Sequence, residues 1–208
     1  MIVIIDYGMG NLRSVLKAFK RIKVEPIISS KIEDIERADK LVLPGVGHFK
    51  RGMENLKTLG LIEALNKTVL KDKVPILGIC LGMQLLTKSS EEGDVPGLGW
   101  FDAKTIKLNF NNHNFKNLKY KIPHMGWDTI MIKKPSPIFY GIEKNALFYF
   151  VHSYHVVCDN PKDLLSTTNY GCEFVSAIQK NNMFGMQFHP EKSHKNGLKI
   201  LKNFVEKI

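Results

Sequence analysis

Cys80 lies in Gly78-Ile79-Cys80-Leu81-Gly82, between the apolar run Val74-Pro75-Ile76-Leu77 and Met83-Gln84-Leu85-Leu86. This order predicts a thiol on a strand-to-helix elbow, with a glycine two residues to either side so that the backbone can turn sharply. A cysteine nucleophile needs a base to make it a thiolate and a third group to orient that base. His189-Pro190-Glu191 supplies both. Pro190 biases His189 toward an extended backbone, where residues two apart project to one side and set imidazole against carboxylate. Cys80, His189 and Glu191 are thus candidate nucleophile, base and orienting acid for acyl transfer. Alone, Cys80 reads equally well as a small buried hydrophobe, and His-Pro-Glu as an ordinary turn; their chemical complementarity favours catalysis.

Acyl transfer also needs two N–H donors for the oxyanion of its tetrahedral intermediate. Leu81, just after the cysteine, offers one, and Val46 or Gly47 in Pro44-Gly45-Val46-Gly47 the other. Gln84, one helical turn beyond Cys80, is expected to face the same pocket. Cys158 and Cys172 read as small hydrophobes, and His48, His113, His124 and His194 as surface or structural residues. Three cysteines at these spacings match neither a zinc ligand set nor a disulfide framework, so no metal or cofactor is expected.

The elements that must position these residues follow from hydrophobic periodicity. Ile2 to Ile5 is a buried strand, Gly8-Met9-Gly10-Asn11 a tight loop, and Leu12, Val15, Leu16 and Phe19 mark a helix. Strands at Val24 to Ile28 and Lys40 to Leu43, a short helix at Ile32 to Arg37 and a helix from Met53 to Leu70 lead to the strand before Cys80. This alternation predicts a mostly parallel sheet flanked by helices on both faces, a flavodoxin-like α/β arrangement. After Gln84 the pattern changes to an additional antiparallel region, with strands at Ala103 to Phe110, Lys119 to Ile122, Asp128 to Ile132, Phe148 to Val157 and Leu164 to Thr168. The Asn-rich stretch 109–117 reads as a hairpin tip. A last hairpin, Phe174 to Gln179 with Met183 to Phe188, precedes a closing helix from Gly197 to Glu206. No repeat or long linker divides the chain, so residues 1–208 are expected to form one domain.

The 208 residues suffice for a core without disulfides or metals. The net charge of +10 comes from 30 cations, 26 of them Lys and scattered along the chain, which reads as a solvated surface and not as a nucleic-acid footprint. No run approaches the length of a membrane span, and Met1 to Asp6 reads as a first strand rather than a leader, so a cytoplasmic location is expected.

Six motifs together resemble the triad-type (class I) glutamine amidotransferases. They are Asp6-Tyr7-Gly8-Met9-Gly10-Asn11, Leu43-Pro44-Gly45-Val46-Gly47, the Cys80 elbow through Gln84, Pro123-His124-Met125-Gly126-Trp127, Val151-His152-Ser153-Tyr154, and Gln187-Phe188-His189-Pro190-Glu191-Lys192-Ser193. The first and fourth narrow the resemblance to the glutaminase subunits of histidine biosynthesis. The resemblance implies that Cys80 attacks the side-chain amide of glutamine and that His189 protonates departing ammonia. It also implies that Glu92 holds the substrate's amino group, and that Gln84, Ser153 and Tyr154 line the glutamine site. The implied partner is a (β/α)8-barrel cyclase subunit, in a heterodimer, that receives the ammonia. Asp128 departs from the Asn usual in that branch, and the 109–117 stretch looks longer than the norm. His155 and Ser193-His194-Lys195-Asn196-Gly197 resemble a paralogous branch that aminates a bacterial surface-sugar precursor. A stand-alone cysteine hydrolase of γ-glutamyl or peptide substrates is the alternative of another class.

Overall fold

A computed structural model describes residues 1–110 and 120–208. Four strands arise in the first 80 residues: β1 (Ile2–Ile5), β2 (Ile27–Ser29), β3 (Lys40–Gly45) and β4 (Ile76–Cys80). Between and after them run α1 (Leu12–Arg21), α2 (Ile32–Glu36), α3 (Phe49–Thr58), α4 (Leu61–Leu65) and α5 (Leu81–Leu85). Then come β5 (Ser89–Ser90), β6 (Val95–Pro96), β7 (Ala103–Lys107), β8 (His124–Thr129), β9 (Met131–Ile132), β10 (Leu147–His152) and β11 (Tyr154–Cys158). The chain closes with β12 (Leu164–Asn169), β13 (Glu173–Lys180), β14 (Met183–Met186) and α6 (His194–Lys207).

The order β2-β1-β3-β4-β14 is parallel throughout. β14 is also antiparallel to β13, and through β13 the sheet continues into β11, β7 and β12, all antiparallel. β10 and β8 form a separate antiparallel pair. Burial of both faces explains the unbroken apolar runs of the parallel strands. Val3, Ile5, Leu41 and Leu43 pack on one side with Phe49, Leu56, Leu61 and Leu65 from α3 and α4. Ile4, Val42 and Leu77 pack on the other with Phe19 of α1 and Ile200 and Phe204 of α6. Among the described residues, no helix is long and apolar enough to cross a membrane.

Several boundaries differ from the sequence reading for local reasons. β2 begins at Ile27 rather than Val24, because Pro26 has no N–H to give the ladder. The Met53 to Leu70 helix is two helices, α3 and α4, separated at Gly60 with φ 67°, and the second runs on as a π-helical turn over Asn66–Lys71. Phe148 to Val157 is not one strand but β10 and β11, which break at Ser153 and belong to different sheets. Residues 120–122 form no strand, and most of the 109–117 hairpin tip, with His113, lies outside the described residues.

Candidate active site

Cys80 ends β4 and precedes α5, the predicted elbow, with φ 55° and ψ −111°. That is a conformation non-glycine residues seldom adopt, and in a packed setting it is the kind of strain that accompanies a presented nucleophile. Gly45 at the end of β3 pairs with Cys80, which brings the Pro44-Gly45-Val46-Gly47 loop beside the thiol. The sulfur is 3.8 Å from the Val151 carbonyl oxygen and 3.7 Å from Gln187 Nε2.

His189 and Glu191 stand behind the thiol. The imidazole Nδ1 lies 2.8 Å from Glu191 Oε1, with both side chains almost wholly buried. The juxtaposition is the one expected, but its local cause differs. His189 is extended, at φ −100° and ψ 94°, while Pro190–Lys192 is a 3-10 turn and not the continuation of a strand. His189 N–H donates to the Tyr149 carbonyl at 2.9 Å, and the turn is closed by Lys192 N–H donating to the His189 carbonyl and Ser193 N–H to the Pro190 carbonyl, each at 3.0 Å. Burial disfavours the charged imidazole, but a Cys80 thiolate and Glu191 outweigh it, and the pKa of His189 is raised to about 10. Among the described residues, Nε2 has no hydrogen-bond partner of good geometry, and it is the atom left to face the thiol.

A pocket of about 130 Å³ opens over Cys80. Its walls include Val46, Gly47 and Leu81, the three predicted oxyanion donors, and Gln84, Glu92, Ser153 and Tyr154 complete the set expected there. The volume is below the roughly 300–1,000 Å³ of sites for drug-sized ligands, which matches a single amino-acid side chain better than a peptide. A cavity of about 370 Å³ elsewhere, between Asp6 and Thr58, is lined by no cysteine or histidine. Glu92 accepts the Phe49 N–H at 2.7 Å through Oε2, which fixes the carboxylate at the pocket wall. The β10–β11 break sets Ser153 and Tyr154 there, since one continuous strand would have carried them past the opening.

The other cysteines are as expected: Cys158 is partly buried against the core, and burial pushes its pKa up to about 12, while burial also raises that of Cys172. His124 is a structural histidine, as expected, but fully buried and bonded to His152 and Asp128. His152 and Gln187 were missed as neighbours of the site. Gln187 was detectable, being two residues before His189 in a segment that is extended at that point. An elbow thiol, a buried imidazole–carboxylate pair and backbone N–H groups at one small pocket can perform nucleophilic acyl transfer without a cofactor.

The sequence pattern of the glutamine amidotransferase class-I family matches residues 3–208, and the chain belongs to that family. Among curated relatives, the imidazole glycerol phosphate synthase subunit HisH of Methanococcus maripaludis, in its second copy, is 52% identical over 206 residues, covering 99% of both chains. The corresponding second copy from Pseudomonas aeruginosa is 46% identical over 208 residues, covering 100% of both. Among solved structures, one described as a glutamine amidotransferase superposes with TM-score 0.74 at 18% identity, covering 99% of this chain and 98% of that one. PurLQS from Thermotoga maritima gives 0.71 at 16%, covering 99% and 97%. At such identities these two structures speak to the fold.

Proposed function

We propose that this chain is the glutaminase subunit of an imidazole glycerol phosphate synthase, hydrolysing glutamine to glutamate and supplying the ammonia to a (β/α)8-barrel cyclase in histidine biosynthesis. The observation that carries the reading is Cys80 on its strained elbow, backed by the buried His189–Glu191 pair at an amino-acid-sized pocket. The full-length similarity to HisH subunits supports the particular synthase.

Cys80 Sγ attacks the glutamine side-chain carbonyl carbon, and N–H groups of Val46 or Gly47 and of Leu81 receive the oxyanion. His189 protonates the departing ammonia, leaving a γ-glutamyl thioester; it then takes a proton from the water that replaces sulfur. Gln84, Glu92, Ser153 and Tyr154 hold the amino-acid end of the substrate. Glu191 keeps the imidazole oriented and favours its charged form.

The raised pKa of His189 has a definite sign. Its imidazolium persists up to about 10, so the stabilisation gained by charging it in the fold is fully present below the ordinary 6.5 and is lost as pH rises through 10. Glu191→Gln removes one of the groups that raise it. The alkaline limb of glutamate release is therefore expected to move down by about one pH unit or more. An alkaline limb unchanged in a pH–rate profile of the variant would contradict this role for Glu191.

The partner is expected on the face that carries the pocket. Met125 and Trp127 of β8 are 62% and 41% exposed, large apolar side chains beside the site. Trp127 contacts Tyr149, whose strand holds His189 through the carbonyl bond already described. Trp127→Ala is expected to weaken the complex by on the order of 2 kcal/mol, the loss typical of a central aromatic anchor, with the isolated chain unchanged. Titration of the cyclase by calorimetry measures it.

A second reading has one observation behind it. Methanococcus maripaludis has two relatives called HisH, numbered 1 and 2, and each is 52% identical to this chain. Where one synthase needs one such subunit, a second copy is free to feed another acceptor, and a surface-sugar precursor is the alternative here. Glutamate release measured for the chain alone and then with each candidate cyclase and its ligand separates the readings. Stimulation by the histidine-pathway cyclase is expected; stimulation only by another partner would overturn the pathway. Fast release by the chain alone would favour the stand-alone hydrolase.

A further inference from the structure

Gln187 is fully buried, and neither its place in the sequence nor the mechanism above gives it a task. Its amide can have only one orientation, set from the Tyr154 backbone carbonyl. That oxygen can only accept, and Gln84 Nε2 lies 3.0 Å from it, so the Gln84 amide must present NH2 there. The same Nε2 lies 3.0 Å from Gln187, whose facing atom must then be its carbonyl Oε1. Gln187 is left with its NH2 group toward Cys80, and Nε2 lies 3.7 Å from Sγ, within reach of an N–H···S bond.

A second chain steadies the Tyr154 carbonyl from the other side. His152 Nδ1 lies 2.8 Å from it and must donate, which leaves His152 Nε2 bare to accept from His124 Nδ1 at 3.1 Å. His124 Nε2 lies 2.7 Å from Asp128 Oδ2. The His124 ring is stacked on Tyr170, with centroids 3.9 Å apart, and on Phe150, at 5.0 Å, which fixes its plane.

We propose that Gln187 is a further catalytic residue, an amide donor to the Cys80 sulfur, oriented through Gln84 by the Tyr154 carbonyl that the Asp128–His124–His152 chain holds in place. In acylation the S–C bond forms and ammonia leaves with a proton from His189. In deacylation the water oxygen bonds to the acyl carbon, a water proton goes to His189, and the C–S bond breaks with its electron pair returning to sulfur. A fixed N–H donor is worth most at that moment, when sulfur regains negative charge. The proposal rests on the reading of Cys80 as nucleophile.

The test is the pH dependence of Cys80 alkylation by iodoacetamide in the full chain, read by mass spectrometry of the peptide that carries Cys80. Other titratable groups facing the sulfur or its pocket are Tyr7, His152, His189 with Glu191 behind it, and Glu92 at the wall; all stay constant in the comparison. Gln187→Leu is expected to move the alkylation midpoint up by about one pH unit, the size of one charge-assisted hydrogen bond. It should lower kcat about tenfold to a hundredfold with KM little changed. Gln187→Met keeps the length of the side chain, carries no N–H donor and adds no charge, so it is expected to shift the midpoint the same way, and it serves if the leucine variant fails to fold. Midpoints superimposed on the parent's would overturn the role of Gln187 and leave the nucleophile untouched. Failure of the nucleophile reading shows separately, as undiminished glutamate release by Cys80→Ala.

Discussion

Cys80→Ala is expected to reduce glutamate release by about 10,000-fold or more, in the stimulated complex as well as in the isolated chain. Loss of a nucleophile in a linked set removes the covalent route altogether, and what survives is the small contribution of binding and oxyanion donors. The fold is expected to survive, because the sulfur lines a pocket and its removal opens little buried space. Its strained φ of 55° remains with alanine, so the elbow gains no relief from the change. Glutamate release assayed over hours, with a thermal melt as control, measures both parts. A variant that melts like the parent and turns over at the parent rate would remove Cys80 from the mechanism.

Gly82→Ala is expected to have the largest effect on stability. A Cβ at this position would sit 1.7 Å from the Leu43 carbonyl oxygen and 2.8 Å from its carbonyl carbon. Both are backbone atoms of β3, which is held to β4 in register from Leu41 to Gly45. The strand cannot withdraw without losing that pairing, and the elbow cannot rise without moving Cys80. The cost is expected at about 3 kcal/mol or more, the upper end for overpacking, and a fall of roughly 10 °C in Tm for a chain of this length. Activity of the fraction still folded should fall with it, since α5 carries Leu81 and Gln84 into the pocket. An unchanged melting curve would mean that the close approach of α5 to β3 is not what seats the elbow.

That clash explains why the elbow was legible in the sequence. Gly78 and Gly82 are where the turning chain meets itself and its neighbour strand, and only glycine leaves room, so the spacing marked the turn, while His189-Pro190-Glu191 was needed to read the thiol as a nucleophile. The parallel half was legible for a similar reason: its strands are buried on both faces and read as unbroken apolar runs. His189 and Glu191 were paired correctly, although the chain achieves it with a 3-10 turn after Pro190 and not with a strand. The break at Ser153 was hidden because Phe148 to Val157 is uniformly rich in β-branched and aromatic residues. Which sheet each half joins is decided by pairing with residues far along the chain, Met125 to Thr129 for β10 and Ala103 to Lys107 for β11. Gln187, Gln84 and the Tyr154 carbonyl meet over separations of 70 and 103 residues, and no local pattern carries such a contact.

The central claim is that Cys80 forms a covalent γ-glutamyl thioester with glutamine. The direct measurement is mass spectrometry of the protein quenched in acid while it turns over glutamine, in complex with the stimulating cyclase. The account predicts one glutamyl group on the peptide carrying Cys80, absent in Cys80→Ala and absent from the peptides of Cys158 and Cys172. A glutamyl group on another residue, or steady glutamate release by Cys80→Ala under the same conditions, would contradict it.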